Sequence, residues 1–111
     1  MREHLSHFYI AGLTYYDYVL CAKKIQIGTL LELKLELDNK YDPRAIAIFY
    51  KDHKIGFVPR AENRILYKLL ITGHPIFETR ILTIDKSMHP EKAVQVIIHI
   101  IANSNKEIKE L

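Results

Sequence analysis

Three clusters of side chains in this sequence have the types and spacing to do chemistry. Tyr9, Tyr15, Tyr16 and Tyr18 crowd into ten residues. A tyrosine offers a flat apolar face and a hydroxyl, which suits stacking on a nucleic-acid base while staying wet. In an extended segment Tyr15 and Tyr16 would face opposite ways, one toward the core and one toward solvent. The second cluster is Asp38-Asn39-Lys40-Tyr41-Asp42-Pro43-Arg44-Ala45. Asp, Asn and Pro are turn formers, yet a tyrosine with Asn39 before it and Asp42 after it exceeds what a turn needs. A carboxylate can accept a hydrogen bond from a sugar hydroxyl while a neighbouring ring stacks on the base. The third is Pro59-Arg60-Ala61-Glu62-Asn63-Arg64, at a strand-to-helix junction. Arg60, Arg64 and Lys68 recur every four residues and are expected on one side of a helix. Arg60 stands near the helix start, where free amides favour phosphate.

Catalytic and metal chemistry find less support. The six histidines are scattered over positions 4, 7, 53, 74, 89 and 99. His4 and His7 fall in an end expected to be flexible and have no carboxylate at metal-site spacing. His99 reads as a half-exposed strand residue. Cys21 has Lys23 and Lys24 nearby but no histidine in a recognisable pairing, so a buried, inert thiol is expected. There is no glycine-rich phosphate loop and no serine in a nucleophile elbow. No catalytic residue, metal ligand or cofactor is therefore assigned, and the protein is read as non-enzymatic.

The elements that must position these clusters belong to a chain of 111 residues, one domain's worth. Apolar residues at 49% and charged residues at 26% are the ordinary globular balance and exclude a disordered chain. A net charge of +3 is too small for a coat on long nucleic acid but compatible with a local anionic contact. No apolar run approaches the ~18 residues that span a bilayer. No secretory signal is visible at the start, and a lone cysteine fits a reducing, cytoplasmic setting.

Leu31, Leu33, Leu35 and Leu37 alternate with Glu32, Lys34 and Glu36, which predicts a strand over 29–37 despite leucine's helical propensity. Residues 45–50, apolar on both parities, read as a central strand. A turn at 51–54 leads to its hairpin partner at 55–58, stopped by Pro59. Ala61, Ile65, Leu66, Leu69 and Leu70 predict a helix over 61–72, ended by Gly73 and Pro75. Strands are predicted at 76–84 and 93–102, and a short one at 8–11. Asp17 could cap a second short helix in the otherwise irregular stretch 16–27. This order predicts a mostly β fold, a small OB-like antiparallel barrel of about six strands with one main helix. Residues 1–7 are expected to be a flexible end, 8–102 the barrel domain, and 103–111 a tail.

Taken together, Phe8 to Tyr16, Asp38 to Ile48, and Lys54-Ile55-Gly56-Phe57-Val58-Pro59-Arg60 resemble the HIRAN domain. The most specific part is Asn39-x-Tyr41-Asp42-Pro43-x-Ala45-Ile46, followed by the Ile55-Gly56-Phe57-Val58-Pro59 hairpin. The resemblance implies a modified OB-like barrel that binds the 3′ end of single-stranded DNA, as a eukaryotic member does in replication-fork remodelling and DNA repair. It implies Tyr15 and Tyr41 as the stacking pair and Asp42 as the carboxylate on the 3′-hydroxyl, supported by Asn39. Phe57 would line the same pocket and Arg60 would contact phosphate. Thr14 stands where the family's DNA binders carry an arginine, so one phosphate contact is missing. The partners implied are a DNA 3′ end and DNA-processing proteins, with no membrane. Two other readings stay open: an interaction or structural barrel without DNA affinity, and an accessory subunit of a DNA-processing complex.

Overall fold

The computed structural model describes residues 2–74 and 77–101. Six strands form one antiparallel sheet: β1 (Arg2–Tyr9), β2 (Leu30–Leu35), β3 (Ile46–Tyr50), β4 (His53–Phe57), β5 (Phe77–Ile84) and β6 (Val94–Ile101). Their spatial order is β1-β6-β5-β2-β3-β4. Two α-helices join them, α1 (Tyr18–Cys21) and α2 (Asn63–Ile71). Short 3-10 turns occupy Leu13–Tyr15, Ala22–Lys24 and Pro90–Lys92.

The alternation of β2 sets its pairing. Leu33 lies opposite Ile48 and Leu35 opposite Ile46, so the leucine parity meets the buried parity of β3. β3 is central, and Ile46, Ala47, Ile48 and Tyr50 are all buried. The core continues through Phe8, Ile10, Leu13, Ile55, Leu66, Ile81, Val94, Val96 and Ile98.

The fold is mostly β and OB-like, but the sheet is not a closed barrel. Its edges meet at one point. Beyond β1, Ala11 forms an isolated antiparallel bridge with Phe57 of β4, donating to and accepting from its backbone at 2.9 Å each way. Gly56 makes this approach possible. A Cβ there would lie 2.3 Å from Ile10 Cγ2 and 2.6 Å from the Ala11 oxygen. The rest of β1 diverges from β4 and pairs with β6 instead.

Several boundaries differ from the sequence expectation. Residues 2–7, expected as a flexible end, belong to β1 and pair with β6. Their polar side chains hid a strand that has one solvent face and a bulge between His4 and Ser6. β2 stops at Leu35, and Leu37 is exposed. β4 begins two residues early, at His53, because the β3–β4 turn is tightened by Lys51 at φ 52°. α2 begins at Asn63, and its buried face is Asn63, Leu66, Tyr67 and Leu70, leaving Ile65 exposed. Arg60 therefore precedes the helix rather than riding on it. Asp17 does stand at the N-cap of α1 but makes no capping hydrogen bond. Pro75, Ile76 and the 102–111 tail lie outside the described residues.

Candidate nucleic-acid interface

An open cavity of about 320 Å³ lies where the two sheet edges meet. All six residues singled out by the sequence line it: Tyr15, Asn39, Tyr41, Asp42, Phe57 and Arg60. Ala11, Gly12, Tyr16, Ala45 and Val58 complete the wall.

One wall is the loop between β2 and β3. Asn39 makes an Asx turn, its Oδ1 accepting from the backbone N–H of Tyr41 and of Asp42, both at 2.9 Å. With the backbone so pinned, the Tyr41 ring stands out and is 85% exposed. Asp42 Oδ1 accepts from the Arg44 N–H at 2.9 Å, and Oδ2 accepts from Asn63 Nδ2 at 3.0 Å. Arg60 Nε lies 3.7 Å from Oδ2, and the same guanidinium donates to the Tyr41 carbonyl at 2.8 Å. A carboxylate has about four acceptor positions. Two are filled at close range, so Asp42, with its side chain 18% exposed, retains acceptor capacity at the cavity wall.

The opposite wall follows the β1–β4 bridge. Gly12 takes a left-handed conformation, φ 70°, and its carbonyl accepts from the Tyr15 N–H at 3.0 Å. The resulting 3-10 turn sends the Tyr15 ring into solvent, 84% exposed, and folds Tyr16 back. Tyr16 packs edge-on against Phe57, with ring centroids 5.4 Å apart. Lys54 Nζ sits over both rings, 4.6 Å from the Tyr16 centroid and 4.4 Å from that of Phe57.

A polar chain ties the walls together. Lys54 Nζ donates to Glu36 Oε2 at 2.7 Å, and Asn39 Nδ2 donates to Glu36 Oε1 at 3.0 Å. Burial opposes ionisation of Glu36, yet the hydrogen bonds from Lys54 and Asn39 and the Lys54 charge outweigh it and hold the carboxyl below its ordinary value.

Two contributors escaped the sequence reading. Asn63, 4% exposed, donates to both Asp42 Oδ2 and the Arg44 carbonyl, so α2 fixes the loop from below. Its signal was a polar residue on the apolar stripe of α2 (63, 66, 67, 70). Lys54 read as a turn residue, and nothing local marked it as the support of Tyr16 and Phe57.

The other chemical candidates lie elsewhere. The Cys21 thiol is buried, and burial, followed by the nearby Asp17, pushes its pKa up, which disfavours a reactive thiolate. His4 Nε2 and His7 Nδ1 are 2.9 Å apart on β1. Among the described residues no group of three or more His, Cys, Asp or Glu side chains is arranged to hold a metal ion. No helix among them is long and apolar enough to cross a membrane.

An antiparallel OB-like sheet with an aromatic cavity at its meeting edges and Arg60 on the rim defines a small, mostly β domain. The chain belongs to the HIRAN domain family, whose model matches residues 4–102. A solved protein from Lactobacillus plantarum has the same fold, with TM-score 0.76 and 21% identity over 89% of this chain and 94% of that one. The HIRAN domain of human HLTF superposes with TM-score 0.63 and 14% identity, over 95% of this chain and 83% of that one. No curated protein sequence matches the chain.

Proposed function

We propose that this HIRAN domain is a non-enzymatic module that binds the 3′ end of single-stranded DNA. The observation that carries the reading is the convergence of Tyr15, Asn39, Tyr41, Asp42, Phe57 and Arg60 on one cavity. Membership in a family of DNA-binding domains supports the choice of ligand. In this reading the terminal bases stack on Tyr15 and Tyr41, whose exposed rings offer free faces. Asp42 uses its remaining acceptor capacity for the 3′-hydroxyl, and Asn39 holds the loop in register. Arg60, on the rim, meets a phosphate, and Phe57 with Tyr16 floors the cavity. Such a module would serve DNA repair or fork processing alongside DNA-processing proteins.

A second reading has one observation in its favour. Asp42 already accepts from Arg44 and Asn63, so it also has a purely structural use in a binding-incompetent barrel. Fluorescence titration with short oligonucleotides separates the two. The end-binding reading expects affinity for a free 3′-hydroxyl end and clear loss of it for a 3′-phosphate end. No affinity for either end would favour the structural barrel, and equal affinity for both would leave a DNA-binding module in which Asp42 does not read the end.

A further inference from the structure

The cavity can hold the end of a strand, and the strand must then leave it. Resting on the reading above, we infer that the DNA leaves past Arg60 and runs along the exposed face of α2, held by Arg64 and Lys68. A second groove, about 360 Å³, follows this face and is lined by Ala61, Glu62, Arg64, Ile65 and Lys68. It starts one residue beyond Arg60, which lines the end-binding cavity. Arg64 and Lys68 lie four residues apart on the helix, so their side chains stand on one face about 6 Å apart along its axis. Both are exposed, and neither forms an ion pair or side-chain hydrogen bond among the described residues. Between them Ile65 is 54% exposed and offers an apolar surface to a base or sugar. The one carboxylate in the groove, Glu62, is turned to Ser6, whose hydroxyl donates to it at 3.3 Å.

The neighbouring exit is electrostatically wrong. A groove of about 520 Å³ opens from the same Ala11–Gly12 corner and shares Glu62 with the α2 groove, but it adds Glu91 and has no lysine or arginine to offset them. Phosphates would be repelled there and attracted along α2.

The test compares a trinucleotide with a decanucleotide of thymidine, both ending in a 3′-hydroxyl, on the wild-type chain, Arg64→Ala/Lys68→Ala, and Lys23→Ala/Lys24→Ala, exposed and outside both the cavity and the α2 groove, as a control. In the wild type the longer strand should bind about tenfold more tightly, because two further phosphates are neutralised. The α2 variant should bind the trinucleotide as the wild type does but lose that gain. Its log–log salt slope for the decanucleotide should fall by about 1.4, at ~0.7 per phosphate. The control should retain the gain. An α2 variant that keeps the length gain, or a control that loses it, would overturn the α2 path while leaving end binding intact. Failure of the wild type to bind the trinucleotide would instead sink the end-binding reading, and this inference with it.

Discussion

The two walls of the cavity reach the same result by different physics. The wall over residues 39–44 is built from short polar side chains that bind backbone: Asn39 to two amides, Asp42 to a third. The wall over residues 12–16 is built from backbone shape and ring packing, with Gly12 left-handed, Tyr16 against Phe57 and Lys54 over both. Each presents one nearly free tyrosine ring, and the rings owe little to each other. The lesson is that the first wall should fail locally when a side chain is changed. The second should fail only when the β1–β4 approach is lost.

The largest effect is expected at that approach. Gly56→Ala drives a Cβ into Ile10 and the Ala11 carbonyl, an overpacking clash with backbone that cannot give. It should destabilise the fold by about 3 kcal/mol, the upper end for overpacked sites, as read by denaturant unfolding. Unchanged stability would mean that the two edges do not meet. Next in size is Asn63→Ala, which strips Asp42 Oδ2 and the Arg44 carbonyl of their shared buried donor. A loss of about 2 kcal/mol is expected, with hydrogen exchange speeding up in residues 39–44 and not in 12–16. Faster exchange in both walls would erase the distinction between them.

Tyr15→Ala and Tyr41→Ala should each cost about 1.5 kcal/mol of DNA affinity, within the range for a base–aromatic stack. Because both rings are exposed, melting temperatures should stay near wild type, and phenylalanine at either site should restore most of the affinity. A tyrosine whose removal unfolds the protein while sparing binding would be structural. The smallest effect concerns the link between the walls. Glu36 is held below its ordinary value of 4.5. Its stabilising contribution is therefore complete above that value and is lost as pH falls through the lowered one. Glu36→Gln should flatten the acid limb of the stability profile by less than ~1 kcal/mol, since the pair with Lys54 is partly solvated. An acid limb identical to wild type would remove Glu36 as the tie.

Much of this architecture was legible in the residues. The leucine alternation of β2 and the doubly apolar β3 identify themselves, because period two and two-sided burial leave few alternatives. The cavity residues were legible as motifs, since an Asx turn and a proline-stopped hairpin have local signatures. What stayed hidden was long-range. Residues 2–7 look like a polar end until β6 is there to pair with them. Asn63 looks like a misfit on an apolar stripe until the β2–β3 loop lies above it. Lys54 gains its use only when Tyr16, thirty-eight positions earlier, folds over it.

Asp42 is where the account is most exposed, because it serves the loop and, in the proposed function, the DNA end. Asp42→Asn keeps the size and one acceptor oxygen but removes the charge, and a charge-assisted hydrogen bond is worth about 1.5–3 kcal/mol. The decisive measurement is the affinity of this variant for 3′-hydroxyl and 3′-phosphate strands, alongside its melting curve. The account predicts a folded protein that no longer distinguishes the two ends. A variant that folds cooperatively and still prefers the 3′-hydroxyl would contradict it, leaving Asp42 as a turn residue alone.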